Sequence, residues 1–266
     1  MVATEEPRSG ARAVDRAIEV LHCFDGNDPE LSVSGLAQLA GLPVSTTHRL
    51  AQALVRGRLL EQDPLTDRYR IGSGLASLAR PALSRLDLDS VAPHLYALAA
   101  GIRISVSVSV VQDTDALTVL HARPPIFFCH HQVPDVRRPL RASAVGHALL
   151  AFSAANTIIE GCAGREDAPA IRSGELHGRL NQVRRNGFAV EMIEADDPVR
   201  SVAVPIVGPD KQVRGALGVQ ARSARLNQEL VRSIVPAMRG IANRIGPLLY
   251  AGDVTAAHTW PELESR

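Results

Sequence analysis

The chain has 266 residues, enough for one large or two modest domains. Its composition, 45% hydrophobic and 21% charged, is that of an ordinary globular protein; aromatics are only 3%, so the core must be built of Leu, Val, Ile and Ala. The net charge of +1 provides no global basic field, and no apolar run approaches the roughly 20 residues of a membrane helix.

The cysteines, Cys23, Cys129 and Cys162, are few, widely spaced and odd in number, which fits a reducing cytoplasm better than a disulfide framework. Lys211 is the only lysine, so the basic character is almost wholly arginine. The opening "MVATEEPRSGARA" has acidic residues and no apolar core, and does not read as a secretory signal.

In chain order, residues 1–11 read as a disordered tail. "AVDRAIEVLHCF" places Val14, Ala17, Ile18, Leu21 and Phe24 on one helical stripe. Turn residues in "DGNDPELS" stop that helix. Ser32 or Ser34 caps the next, which is expected to bury Leu36, Leu39 and Ala40. Gly41 ends it in a left-handed conformation, and Pro43 stands near the first turn of a third helix.

That third helix spans about Val44 to Arg56 and is expected to bury Val44, Thr47, Leu50, Ala51 and Leu54. Its other face carries Ser45, Thr46, His48, Arg49, Gln52 and Arg56. Asp63-Pro64 and Thr66-Asp67 then mark a turn between two short strands. In the second strand Tyr69 and Ile71 share one face, while Arg68 and Arg70 share the other.

"SGLASLARPALSRLDL" predicts a linker helix over 74–89, kinked or broken at Pro81. "LDLDSVAPHLYALAAG" is helical, and "ISVSVSVVQ" and "ALTVLHA" are strands. After the loop-rich "RPPIFFCHHQVPDVRRP" come two helices, "ASAVGHALLAFS" and "GELHGRLNQVRRNG". Three strands and a long closing helix follow. Helices and strands mix without strict alternation, so this half is an α+β or mixed α/β domain.

Three helices followed by a hairpin make a winged helix-turn-helix. A helix fits the major groove and reads bases with its N-terminal side chains, and flanking contacts fix its register. The residues in position to meet DNA are Ser45, Thr46, Thr47, His48, Arg49 and Gln52 on the helix, with Arg68 and Arg70 on the wing. Arg49 is long enough to reach guanine. Local charge agrees: between residues 44 and 80 stand Arg49, Arg56, Arg58, Arg68, Arg70 and Arg80 against Glu61, Asp63 and Asp67. Plainer readings stay open: Ser45 or Thr46 as a helix cap, His48 as surface decoration, Arg56 and Arg58 as complements to a helix C-terminus.

These segments resemble the IclR family of bacterial transcriptional regulators. The resemblance is carried by "AVDRAIEVL", "LSVSGLAQLAGLPVSTTHRLAQALVRGRLLEQD" and "YRIGSGLASLA". It continues in "PLRASAVGHALLAF", "LNQVRRNGFAVEMIE" and "RSVAVPIVGPDKQVRGALGVQA", and covers nearly the whole chain. It implies an α+β protein: a winged helix-turn-helix over 12–73, a linker helix over 74–89, a GAF-like effector-binding domain over 90–252, and a disordered tail over 253–266. It also implies a dimer or tetramer that binds double-stranded DNA and a small-molecule effector.

Carried over by position, the effector site holds Ala144, Val145, Glu191, Ser201, Gly218 and Gln220. Glu191 stands where relatives usually have aspartate, Ser201 where many have cysteine, and Gly218 and Gln220 where several have paired serines. These departures point away from a small organic acid such as glyoxylate, and Glu191 suggests an effector with a donor or positive group. Arg141 is placed to pair with a carboxylate or with Glu191 itself. Plainer readings are a structural salt bridge for Glu191 and a backbone-bonded core hydroxyl for Ser201.

Cys129, His130 and His131, with His121 and His147 nearby in sequence, raise the question of zinc. No CxxC or HExxH spacing supports it, and no cofactor or catalytic residue is expected. The function expected is a cytoplasmic, sequence-specific regulator, most simply a repressor, controlled by a metabolite. The alternatives are a ligand sensor whose N-terminal module contacts protein, and a ligand-processing enzyme.

Overall fold

The computed structural model describes residues 9–26, 28–126, 129–153, 173–194 and 196–249. The expectations that fall on Cys162 and on the C-terminal segment 253–266 lie outside them. The chain divides into two units, one ending at Leu83 and the other beginning at Ser84.

The first unit contains α1 (Ser9–His22), α2 (Val33–Leu39), α3 (Val44–Arg56), β1 (Leu60–Gln62) and β2 (Tyr69–Ile71). The Ser32 hydroxyl caps α2 by accepting from the Gly35 N–H at 3.1 Å. Gly41 follows at φ +62°, the left-handed value that ends a helix without Cβ strain. The two strands pair antiparallel, with Leu60 opposite Ile71 and Gln62 opposite Tyr69. Val20, Leu31, Leu36, Ala51, Leu54, Leu60 and Tyr69 form the core.

Several expectations need correction here. Helix α1 begins at Ser9, so residues 9–11 are helical rather than tail; Ala11 and Ala13 are strong helix formers and extend the first turn. Leu39 is 62% exposed and Val44 51%. The inward stripe of α2 runs through Val33, Leu36, Ala37 and Ala40, and Leu39 falls off it. In α1 the inward face centres on Val20, and Val14 and Ile18 are exposed.

Helix α4 (Gly74–Ser84) follows the wing and passes straight through Pro81. Ser77, whose carbonyl loses its donor to the proline, is exposed, so water satisfies it. The break comes later, at Asp87, which takes a left-handed φ of 44° before α5 (Leu88–Ile102). The expected single linker helix over 74–89 therefore ends at Ser84.

The second unit is built on a six-stranded antiparallel sheet. Its strands are β3 (Val106–Gln112), β4 (Asp115–Ala122), β5 (Arg137–Pro139), β6 (Ala189–Ile193), β7 (Val199–Val207) and β8 (Val213–Arg222), in the order β5-β4-β3-β8-β7-β6. Strand β5 was not foreseen: it is three residues long and ends in proline, too short to alternate visibly. The remaining helices are α6 (Ala144–Phe152), α7 (Ser173–Asn186) and α8 (Gln228–Ile245).

Strand alternation sends residues to two faces. Val106, Val108, Val202, Val204, Ile206, Leu217 and Val219 pack with α5 and α8. The opposite face carries Ala116, Ala189, Ala203 and Ala216 against α6 and α7. Small residues there let α6 lie close. The result is a GAF-like α+β domain.

Candidate functional site

Helix α3 presents Ser45, His48 and Arg49 to solvent, with Thr46 half-exposed. No side chain caps its first turn, so the leading N–H groups are directed outward, as an anion-binding helix start requires. Arg49 makes no side-chain hydrogen bond or ion pair among the described residues.

Two residues expected at this surface are placed differently. Thr47 is fully buried, and its hydroxyl donates to the Pro43 carbonyl at 3.1 Å. Four residues before Ala51 and seven before Leu54, both buried, it lies on the inward stripe, and one hydroxyl does not reverse that direction. Gln52 ties α3 to the wing: its Nε2 donates to Gln62 Oε1 at 2.7 Å and to the buried Tyr69 hydroxyl at 3.2 Å.

The wing arginines are exposed but engaged. Arg68 donates to the Glu30 carbonyl at 2.9 Å. Arg70 pairs with Glu61 at 3.2 Å and lies 3.6 Å from Glu30. The Glu61 carboxyl is held below its usual value, first by the Ser73 backbone N–H and then by Arg70.

In the second unit, register aligns the polar positions. Glu191 lies opposite Ser201, and Ser201 opposite Gln220; one row along, Ala203 faces Gly218 and Gly218 faces Ser107. Two adjoining pockets open on this face. One, with about 10 Å³ of open space and so room for about one water, is lined by residues that include Val145, Ser201, Gly218 and Gln220. The other, with about 120 Å³, includes Ala144, Glu191 and Ser201.

Arg138 lines both pockets and was missed from sequence. It reaches from the β5 edge to Ser201 Oγ at 3.4 Å, and its Nη2 donates to Gln220 Oε1. Gln220 is fixed from the other side, its Nε2 donating to the Val133 carbonyl at 2.8 Å. Gln132 accepts from the Ser105 N–H at 2.9 Å and closes the loop over the same place. One signal for this site was available: the "ISVSVSVV" alternation puts Ser105, Ser107 and Ser109 on one face.

Arg141 lines neither pocket. Its carbonyl faces His147 Nε2 at 2.7 Å, and the arginine that meets Glu191 is Arg179, from α7, at 2.8 Å. Arg141 precedes α6 at a bend, and the side chain directed into the pockets leaves three residues earlier, on β5. His147, 1% exposed, holds Glu191 from the other side at 2.9 Å. Burial opposes ionisation of Glu191, but the bonds from His147 and Arg179 outweigh it and hold the carboxyl below its usual value. This carboxylate already has two hydrogen-bonding partners, which leaves it less to offer a ligand donor.

Among the described residues, no group of three or more His, Cys, Asp or Glu side chains is arranged to hold a metal. His131 instead lies 3.2 Å from Asp197 and 3.0 Å from Arg222.

Comparison with known proteins matches this architecture at both ends. Residues 13–64 match the model of the IclR helix-turn-helix domain, and residues 81–246 that of the bacterial transcriptional regulator IclR C-terminal domain. The chain is 24% identical over 259 residues to the DNA-binding transcriptional repressor YiaJ of Escherichia coli, covering 92% of each protein. It is 27% identical over 254 residues to the glycerol operon regulatory protein of Streptomyces coelicolor, covering 91% of this chain and 97% of that protein.

Among solved structures, it resembles an IclR homologue from Microbacterium hydrocarbonoxydans in complex with 4-hydroxybenzoate. The TM-score is 0.72 at 25% identity, over 90% of this chain and 99% of that one. With an outward-facing recognition helix in one unit and a pocketed GAF-like sheet in the other, the chain belongs to the IclR family: it is a DNA-binding transcriptional regulator with an effector-binding C-terminal domain.

Proposed function

We propose that the protein is a cytoplasmic, dimeric or tetrameric repressor without turnover of its own. Helix α3 enters the major groove of each half-site of a pseudo-palindromic operator. The observation that carries this reading is the outward face of α3, where Ser45, His48 and Arg49 stand exposed beside an uncapped first turn. Arg49 reads a base edge, and Ser45 and Thr46 approach phosphate. The wing arginines meet the flanking backbone by exchanging Glu30 and Glu61 for phosphate.

Self-association is supported by α4, which buries none of its residues within the chain although Leu78 and Leu83 are apolar, and by the exposed Val14 and Ile18 of α1. Repression is supported by the repressor among its relatives. In this reading the effector lies near Ser201, Gly218 and Gln220 and biases the freedom of the paired DNA-binding domains. DNase footprinting upstream of the protein's own gene tests it: two protected half-sites about one helical turn apart are expected, and uniform cleavage at saturating protein would overturn it.

A further inference from the structure

The wing ends in a turn that its own hydrogen bonds hold fixed. The Asp63 carboxylate accepts from the Leu65 N–H at 2.8 Å and from the Thr66 N–H at 2.9 Å. The Asp63 N–H donates to the Arg68 carbonyl at 2.8 Å, and the Asp63 carbonyl accepts from the Asp67 N–H at 2.9 Å. The turn's N–H groups, Thr66 first and Leu65 second, hold the Asp63 carboxyl below its usual value. Pro64 fixes one backbone angle, and Asp67 closes the turn at a left-handed φ of 55°.

Nothing in that frame calls for a leucine at position 65. The turn is made by backbone groups, one carboxylate and one proline. Yet Leu65 is 92% exposed, the highest value for a large apolar side chain among the described residues. Turn positions favour Gly, Pro, Asn, Asp and Ser, and a leucine there holds apolar surface in water at a cost. Because the turn is rigid, Leu65 is presented to a partner without a loop having to be ordered first.

The surrounding surface indicates what covers it. The same unit exposes Ser45, His48 and Arg49 on α3, and the arginines that follow the tip, Arg68 and Arg70, are exposed as well. The two acids of the tip are turned onto the hairpin itself, Asp63 as above and Asp67 toward Gln62 Nε2 at 3.4 Å. An apolar apex backed by guanidinium groups is complementary to a groove walled by phosphates. The minor groove, about 6 Å wide, presents few base-specific groups, and apolar side chains that enter it pry base steps apart.

We infer that Leu65 is a wedge: the wing tip enters the minor groove beside each half-site and seats Leu65 against a base step, which it partly unstacks, bending the operator. This deepens the operator-binding reading and rests on the wing lying against the DNA. It gives the wing a part in specificity without a hydrogen bond to any base. Pyrimidine–purine steps such as TA unstack most readily, so the flanks of the operator are selected through their deformability.

The test uses the full-length protein and the duplex it protects upstream of its own gene, end-labelled with a donor and an acceptor dye so that bending raises energy transfer. The wild type is expected to bend that duplex by at least about 20° per wing. Leu65→Ser is expected to keep the wild-type Tm, to bind about tenfold more weakly and to lose most of the bend. Leu65→Phe, a larger apolar wedge, is expected to keep the bend. With the steps flanking the half-sites changed in turn to TA and to AA, the wild type is expected to prefer TA about tenfold and Leu65→Ser less than about twofold.

Equal bending by the wild type and Leu65→Ser, or an equal preference for TA in both, overturns the wedge and leaves base reading by α3 standing. A Leu65→Ser protein that binds and bends normally but changes its oligomeric state assigns Leu65 to a second copy and overturns the wedge too. If the wild type protects no upstream duplex, the operator reading and the wedge fall together.

Discussion

His147 Nδ1 lies 2.9 Å from Glu191 Oε1, and the other ring nitrogen faces the Arg141 carbonyl at 2.7 Å. A helix, a strand and the turn before α6 are thereby locked around one buried ring, with Arg179 closing the carboxylate from α7.

That arrangement makes Glu191 structural first. Glu191→Ala leaves His147 without its acceptor, and a loss of about 2 kcal/mol is expected, below the full buried-pair cost because Arg179 is 38% exposed. The folded carboxyl titrates below its unfolded value. Its contribution is therefore fully present above the unfolded carboxylate range and is lost as pH falls through the folded value. Glu191→Gln should flatten the acid limb of a Tm-against-pH profile; an unchanged limb would assign acid sensitivity elsewhere.

Arg49→Ala should relax sequence preference as well as weaken DNA binding, by about 1–3 kcal/mol at one operator position. Binding to a set of operators substituted one base pair at a time reports this. Equal weakening across the set would make Arg49 a phosphate contact.

Gln52 and Thr47 should behave as scaffold. Gln52→Ala removes the bonds to Gln62 and Tyr69 and should cost about 1 kcal/mol of stability. Its operator preference at saturating protein should match the wild type. A shifted preference would return Gln52 to the reading surface.

Gly218 sets the pocket's floor. A Cβ there would stand 2.8 Å from Val145 Cγ1 and 3.3 Å from Ser107 Oγ. Gly218→Ala should cost about 1–3 kcal/mol through overpacking, read as a lowered Tm. A variant of wild-type stability would mean that α6 shifts at no cost.

Much of this was legible in the sequence, and the failures have physical reasons. The bounds of α3, Val44–Arg56, coincide with the expectation because Pro43 and Gly57 flank a strong helical stripe. Glu191, Ser201 and Gln220 are readable as one row because alternation and antiparallel register are local rules. Arg138 was not readable: its strand is three residues long, and its partners Ser201 and Gln220 are 63 and 82 residues away. Arg179 was hidden similarly, since the charge that meets Glu191 comes from α7 rather than from the nearby Arg141. Thr47 was read both as a buried residue of the helical stripe and as a DNA contact, and the stripe decides; Gln52 failed differently, since only the packed hairpin reveals that Gln62 and Tyr69 claim it.

The most direct measurement is a fluorescence-anisotropy titration of the full-length protein with DNA from upstream of its own gene, against a scrambled duplex, at two salt concentrations. The account predicts tight binding to the upstream DNA, much weaker binding to the scrambled duplex, and an affinity that falls steeply as salt rises. Equal, weak binding to both duplexes at either salt concentration would contradict it.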